Sequence, residues 1–303
     1  MGYNCVVLVK QVPDTQRITG QVMNDDGTVN RAALPAIFNP EDLNALEMAL
    51  QIRDRFGGHV TVITMGLPAA AKVLRDALYR GADEAILVTD RRCAASDTLA
   101  TSYILSCAVG KLDYDLVLCG RQAIDGDTAQ VGPQMAEKLG ITQVTYVEAL
   151  ESLEDRTITA RRNLGNGWQQ VRTRLPVLLT VTGEANAPRV GAARRMMKYK
   201  NALTPAEVEQ QVKAASAGAD EATIRKLVKE RTDALERKGL LIRQWDLDYV
   251  AADLTWCGRN GSPTKVHRIQ SVVLAAKESK EIEPTDQGIT AMVHELIQDK
   301  IIA

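Results

Sequence analysis

Within the first 120 residues, four short runs are apolar or β-branched without a break: residues 5–9 (CVVLV), 60–64 (VTVIT), 85–89 (AILVT) and 116–119 (LVLC). A strand with one wet face alternates polar and apolar residues. An unbroken run needs cover on both faces, which is the condition inside a parallel sheet. Helical patterns fill the intervals. Asn39-Pro40-Glu41-Asp42 reads as a helix start, with Asn as N-cap, Pro at the first helical position and two acids at the positive end of the dipole. Its apolar stripe recurs at Ala45, Met48, Ala49, Ile52 and Phe56. Residues 69–80 read as a second helix, closed by Gly81 as a left-handed cap, and residues 96–109 as a third. The order βαβαβα predicts an α/β fold: a mostly parallel, doubly wound sheet with helices on both faces.

Beyond Gly140 the pattern changes. Residues 143–147, 157–162, 168–174 and 177–181 are strand-like with no long helix between them, and Leu164-Gly165-Asn166-Gly167 carries the Asn-Gly signal of a hairpin. These runs predict an antiparallel extension of the sheet. Residues 186–200 (NAPRVGAARRMMKYK) read as a basic, irregular stretch. Thr204-Pro205-Ala206-Glu207 is a capping box, and residues 220–238 form a charged helix with Ile224, Leu227, Val228 and Leu235 on one face, stopped by Gly239. A last amphipathic helix carries Ile289, Met292, Val293, Leu296 and Ile297. Such narrow apolar faces suit an arm that packs against something else, or a helical cover on the parent domain.

Charge and composition exclude several kinds of function. Lys and Arg total 37 against 38 Asp and Glu, and aromatics are 4% of the chain, so neither a cationic field nor a stacking platform for nucleic acid is available. No apolar run approaches the roughly 18 residues that span a bilayer. The start, MGYNCVVLVKQ, runs straight into a strand without a signal-peptide core, which predicts a cytoplasmic, reduced protein. Five cysteines (Cys5, Cys93, Cys107, Cys119, Cys257) form no CxxC pair, against a disulfide framework, a zinc site or an iron–sulfur cluster. His59, His267 and His294 belong to no HExxH or nucleophile–base pattern. No catalytic side chain and no metal site is predicted.

The informative segment is residues 119–140, CGRQAIDGDTAQVGPQMAEKLG. A buried strand ends at Cys119-Gly120, a polar turn follows, and a helix begins near Asp127 or Thr128. Ligands of doubly wound sheets bind beyond the carboxyl ends of the strands, and unpaired amides at a helix start favour phosphate. Gly126 and Gly132 let a ligand approach the backbone, and Thr128 and Gln130 supply hydrogen bonds. Pro133 falls far enough into the helix to remove a helical bond, a local breach of the kind found at sites. Two other strand ends point the same way: Lys10-Gln11-Val12-Pro13-Asp14-Thr15, and Met65-Gly66-Leu67-Pro68, where Gly66 suits an adenosine against the backbone. Neither GxGxxG nor GxxxxGK[ST] is present, so the predicted nucleotide site is of another kind; an ordinary strand–turn–helix with an Asp-x-x-Gln cap is the alternative.

The segments VLVKQVPDT, FNPEDLNALEMAL, VTVITMGLP, LRDALYRGADEAILVTDR, LVLCGRQAIDGDTAQVGPQMAEKLG, LPVLLTV with NAPR, and GSPTKV resemble the β subunit of electron-transfer flavoproteins. The likeness is dense from about residue 4 to residue 200, and DGDTAQVGP is its most specific part. It implies a nucleotide-binding domain over residues 1–190. Residues 191–303 would be a docking loop, a helical insertion and a C-terminal arm that packs on an α subunit carrying a redox FAD. The implied nucleotide pocket comprises Leu8, Asn39, Pro40, Glu41, Asp42, Met65 and Gly66. Ala123, Ile124, Asp125, Gly126, Asp127, Thr128, Ala129, Gln130, Val131, Gly132, Pro133 and Gln134 complete it.

The family implies two cofactor states: AMP as a structural ligand in simple electron shuttles, or a second FAD that takes hydride from NADH in electron-bifurcating members. DGDTAQVGP looks like the bifurcating branch. The implied partners are the α subunit in an obligate heterodimer, a flavin-dependent dehydrogenase of acyl-CoA type, and a low-potential acceptor such as ferredoxin or flavodoxin. Docking is expected around Val190, Ala193, Arg194, Arg195 and Met196. Ala193 stands where the family carries a larger apolar anchor, and the basic pair beside it would steer toward an acidic partner. Residues 204–239 look like an insertion next to that loop. Two rival readings are a plain AMP-holding shuttle and a nucleotide-binding regulatory protein of the stress-protein type.

Overall fold

A computed structural model describes residues 2–14, 35–216, 218–264 and 281–298. The chain divides into two compact units, residues 1–266 and 267–303.

The first unit is built on one nine-stranded sheet. Its first strands are β1 (Tyr3–Leu8), the short pair β2 (Gln11–Pro13) and β3 (Ala36–Phe38), β4 (Gly58–Met65), β5 (Glu84–Val88) and β6 (Leu116–Gly120). Helices α1 (Pro40–Phe56), α2 (Ala71–Arg80), α3 (Thr98–Val109) and α4 (Val131–Leu139) alternate with them. Then follow β7 (Thr142–Glu154), β8 (Thr157–Asn163), β9 (Trp168–Arg174) and β10 (Val177–Val181), and later β11 (Arg243–Trp245). The strand order is β11-β5-β4-β1-β6-β10-β7-β8-β9, while β2 and β3 pair separately and antiparallel.

The period-two rule divides the core. Cys5, Val7, Val62 and Leu118 join one buried cluster with Leu46, Leu50 and Leu74 of α1 and α2. Val6, Leu8, Ile63 and Val117 join the other with Ile104 and Met135 of α3 and α4. The four unbroken apolar runs are thus strands covered on both faces.

The expected antiparallel extension needs correcting. Strand β10 lies between β6 and β7 and is parallel to both. Only the second half of β7, together with β8 and β9, is antiparallel. The reason was in the sequence: VLLTV is as continuously apolar as the first four runs and is buried throughout. Strand β7 changes partner at an irregularity where Tyr146 adopts φ 58. The 164–167 turn closes the β8–β9 hairpin as expected, with Leu164 N donating to Gly167 O at 2.9 Å.

Helix starts shift by a few residues where side chains decide them. Asp97 caps α3 by accepting from Ala100 N at 3.0 Å, so that helix begins at Thr98. The capping box at Thr204 is complete: Glu207 N donates to Thr204 Oγ1 at 3.2 Å and Thr204 N to Glu207 Oε2 at 2.8 Å. Residues 193–199, expected to be irregular, form α5 (Ala193–Tyr199). Tertiary contacts organise this helix: Ala192 N donates to Tyr79 O, and Arg195 Nε to Leu78 O at 2.7 Å, at the end of α2.

Helix α6 (Pro205–Ala215) buries Val208 and Val212, and Arg75 holds its first turn through Glu207 at 3.0 Å. Helix α7 (Glu221–Arg237) buries no residue fully and meets α6 through Arg231 and Gln211 at 2.7 Å. A short turn α8 (Gly258–Gly261) precedes the end of the first unit. In the second unit, α9 (Asp286–Gln298) leaves Ile289 and Ile297 exposed. Thr15, Lys265, Val266 and His267, named above, lie outside the described residues.

A candidate nucleotide-binding crevice

The carboxyl ends of β1 and β6 open toward the starts of α1 and α4, and the loop 121–130 crosses the gap. Side chains of α1 hold that loop by its backbone. Asn39 is fully buried and is the N-cap residue of α1, as expected, but its side chain makes no capping bond. Instead its Nδ2 donates to Gln122 O at 2.9 Å and its Oδ1 accepts from Ile124 N at 3.1 Å. The N-cap position is as expected, while the side chain serves the loop: the Asn amide has both a donor and an acceptor, and the loop engages both.

Glu41 accepts from Gln122 N at 3.1 Å and pairs with Arg121 at 2.9 Å. Asp42 accepts from Gly120 N at 2.9 Å and from Lys10 N at 2.8 Å, so one carboxyl group joins both strand ends to α1. Burial pushes the Asp42 carboxyl up to about 7, against the pull of its Asn39, Gly120 and Lys10 contacts. Gly120 is required here, because a Cβ would fall 2.5 Å from Asp42 Oδ1 and 2.8 Å from Asp42 N.

Across the mouth, Lys10 Nζ meets both oxygens of Asp125 at 2.7 and 2.9 Å. Gly126 N and Asp127 N turn back onto Ala123 O, and Gln122 Nε2 donates to Asp127 Oδ1 at 3.0 Å. Asp127 and Ala129 sit at φ 50 and 53, a conformation that residues with a side chain hold only when their surroundings impose it.

Helix α4 begins at Val131, later than expected, and its N-cap Gln130 makes no capping bond. The Gln130 side chain accepts from Thr98 Oγ1 at 2.8 Å instead. Pro133 is therefore in the first turn, where its missing N–H removes no helical bond; the expected breach is absent. Among the described residues, the amides of Thr128, Ala129, Gln130, Val131 and Gly132 donate to no protein acceptor.

The two glycines of the segment have different roles. A Cβ on Gly126 would meet nothing within 4 Å. A Cβ on Gly132 would meet Cys119 Sγ at 2.8 Å and Thr180 Cγ2 at 2.9 Å, so this glycine lets α4 lie close on the sheet rather than exposing backbone to a ligand. Gln134 Oε1 is buried without a partner in the same first turn. Pro40 is exposed at the head of α1, and Leu8 is buried in the core cluster that Met65 packs against. Gly66 N donates to Val88 O, beyond β4.

Lys10 and Arg121 fall in segments that the sequence flagged, but neither was placed among the implied pocket residues. Lys10 and Asp125 are 115 positions apart, and their pairing depends on the order of the strands. Burial pushes the Cys5 thiol up to about 12 and raises that of Cys119 as well, so neither strand cysteine is a ready nucleophile. His59 lies at the amino end of the sheet, 3.7 Å from Glu84 and 4.0 Å from Asp83.

The segment expected to dock a partner is braced on the middle of α1. Asn44 Nδ2 donates to Asn186 O at 2.8 Å and Asn186 Nδ2 donates back to Asn44 O at 3.0 Å. Arg189 grips Glu47 at 2.7 Å and Asp54 at 2.9 Å, and holds the Glu47 carboxyl below its ordinary range despite burial. Past this base, Val190 is 82% exposed, and Ala193, Arg194, Met196 and Met197 are also exposed. The Arg195 guanidinium turns inward onto the carbonyls of Leu78 and Ala82.

An open, mostly parallel α/β sheet with a side-chain-braced loop at its carboxyl edge places the chain in the doubly wound class of fold, whose ligand sites lie at that edge. Residues 26–216 match the electron transfer flavoprotein domain. The chain is 37% identical over 299 residues to the electron transfer flavoprotein subunit beta of Clostridium acetobutylicum, covering 99% of this chain and all of the relative. It is 38% identical over 296 residues to the protein FixA of Bradyrhizobium diazoefficiens, covering 95% and 89%. It is 47% identical over 188 residues to the acryloyl-CoA reductase electron transfer subunit gamma of Anaerotignum propionicum, covering 60% and 69%. The chain belongs to the electron transfer flavoprotein family, among its β subunits.

Proposed function

We propose that this chain is the nucleotide-holding half of a heterodimeric electron carrier, with FAD in the crevice at the ends of β1 and β6. The observation that carries this reading is the run of amides at residues 128–131 that donate to no protein acceptor among the described residues, beside a glycine with empty space over it. The amides and the start of α4 suit a diphosphate. The space over Gly126 leaves a route outward for a group larger than adenosine. Asn39, Glu41 and Asp42 fix the loop so that little ordering remains to be done when a nucleotide binds. Lys10 offsets the charge of Asp125 at the mouth.

FAD supplies the redox chemistry when bound, taking hydride from NADH and giving up electrons toward the α-subunit FAD and a dehydrogenase, by bifurcation with a low-potential acceptor such as ferredoxin or flavodoxin. The chain's own part is to bind, orient and shield. Val190, Ala193, Arg194 and Met196 are the docking surface for the dehydrogenase, and the relative named for acryloyl-CoA reductase supports an acyl-CoA type. Arg195 supports that surface from inside rather than touching the partner. Residues 191–303 form the partner-facing part. Family membership speaks against the regulatory-protein reading.

The specific rival is AMP in the same crevice, serving a plain shuttle. Counting FAD and AMP released from the denatured heterodimer decides between them. Two FAD and no AMP are expected; one of each would remove bifurcation and leave a structural clamp. Gly126→Asp is the matching variant. Its side chain starts in open space, so the fold is expected to hold while FAD occupancy drops at least ten-fold.

A further inference from the structure

Three acids at or near the crevice are paired with a cation, the exposed Asp127 accepts from Gln122 instead, and Asp42 is the buried one without such a pair among the described residues. Glu41 has Arg121, Asp125 has Lys10, and Glu47, further along α1, has Arg189. Asp42 is 6% exposed and, among the described residues, no Lys or Arg side chain lies within ion-pair distance of it. Its two oxygens are held by the main-chain amides of Lys10 and Gly120. These are the last residues before the loop and the mouth, so the group that spaces the two strand ends is itself a buried carboxyl with no ion pair among the described residues, Lys10 acting on it only from a distance.

The charges facing it are few. From β1 comes Lys10, whose ammonium is engaged by Asp125. From β6 come the buried, neutral Cys119 thiol and Arg121, which is engaged by Glu41. From the loop come Asp125 and Asp127. A diphosphate arriving over this loop adds negative charge beside a dry acid that has none to spare against it. In a poorly solvated site, like charges raise the affinity of an acid for its proton.

We propose that Asp42 is a positioning residue with a second property: it takes up a proton when the nucleotide binds, so that occupancy of the crevice and protonation of this buried carboxyl are linked. The inference rests on the nucleotide reading of the site. It makes the charge state of the two strand ends that Asp42 joins depend on loading of the crevice. Burial already brings the carboxyl near neutrality, so the linkage falls in an accessible range.

The test is FAD binding to the full-length chain, stripped of resident nucleotide, from about pH 6 to about pH 8. FAD is a suitable probe because its diphosphate diester does not titrate there, whereas the phosphate of AMP does. The wild-type Kd is expected to rise several-fold per pH unit across neutrality, with about ten-fold per unit as the ceiling for one linked proton. In Asp42→Asn the dependence is expected to flatten, even if affinity falls at every pH, since a merely structural loss lowers affinity without changing the slope. Calorimetry of FAD binding to the wild type in two buffers of different ionisation enthalpy gives proton uptake directly and decides the matter if Asp42→Asn does not fold.

A flat wild-type profile, no proton uptake, or a slope that survives in a folded Asp42→Asn overturns the proposal. Survival of the slope would assign the proton elsewhere. Failure of the wild type to bind FAD at any pH overturns the FAD reading of the crevice as well, which separates the two failures.

Discussion

Both ends of the parallel sheet are lined with charged side chains, but the two ends are bonded differently. At the amino end, charge meets charge: Arg53 bonds both oxygens of Asp83 at 3.1 Å, Arg243 pairs with Glu84 at 2.7 Å, and His59 leans on both acids. At the carboxyl end, polar side chains mainly grip backbone. Asn39, Glu41 and Asp42 bond the main chain at Lys10, Gly120, Gln122 and Ile124. Ion pairs between half-exposed groups neutralise a surface and contribute little to stability. Bonds from buried side chains to backbone fix a loop in one conformation, and here that conformation leaves five amides without a protein acceptor among the described residues. The amino end is closed by ion pairs, whereas the carboxyl end is organised by side chains that hold backbone, the arrangement on which the proposed nucleotide site rests.

The strongest way to break that comparison is at the glycines. Gly120→Ala forces a Cβ onto the Asp42 backbone, and the overpacking is expected to destabilise the chain by about 2–3 kcal/mol. Gly132→Ala presses instead on the ends of Cys119 and Thr180, which can shift, so about 1–2 kcal/mol is expected. Gly126→Ala meets nothing and is expected to stay within about 0.5 kcal/mol. Urea midpoints of the three variants give the ranking. If Gly126→Ala falls as far as Gly120→Ala, the space over Gly126 is structural and not kept for a ligand.

The next effect concerns the grip on the loop. Asn39→Ala removes a donor and an acceptor from buried backbone groups, at about 1–3 kcal/mol. Arg243→Ala at the other end breaks a pair whose Arg is half-exposed, and about 0–1 kcal/mol is expected. Hydrogen exchange sharpens the contrast: in Asn39→Ala, protection should fall at Gln122–Ile124 before the sheet is affected. Equal losses of stability in the two variants would mean that the two ends are held alike.

The sequence carried the fold further than it carried the site. Continuous apolar runs identify covered strands because burial on two faces leaves no polar position, and VLLTV obeyed that rule even where the surrounding hairpins suggested otherwise. Residue type alone does not reveal what a polar side chain will bond. Asn39 has the composition of an N-cap, yet its amide reaches a loop more than eighty positions away. Gly132 and Gly126 look alike in DGDTAQVGP, and only the packing of α4 on Cys119 and Thr180 separates a packing glycine from an open one. Arg194 and Arg195 are adjacent and chemically identical. The carbonyls at the end of α2 draw one inward and leave the other outside.

Titration separates the two ends as well, and the contribution of His59 is the smallest effect expected. Asp42, held near 7 in the fold against roughly 3.9 in an unfolded chain, favours its neutral form. Its contribution to stability is complete below the unfolded value and is lost as pH rises through 7. His59 is shifted upward, chiefly by Glu84 and then by Asp83, from an ordinary value of about 6.5. Its contribution is complete below that value and is lost as pH rises through the folded one. Both ends therefore weaken toward alkaline pH in adjacent windows, Asp42 from about 4 to about 7 and His59 just above about 6.5. Because His59 is half-exposed, solvent screening limits its share to about 0.5 kcal/mol or less. Stability of His59→Gln, followed by urea midpoint against pH, is expected to lose only the upper window, and that of Asp42→Asn only the lower. If His59→Gln flattened the lower window as well, the two ends would be coupled through the sheet, and neither could be read as an independent device.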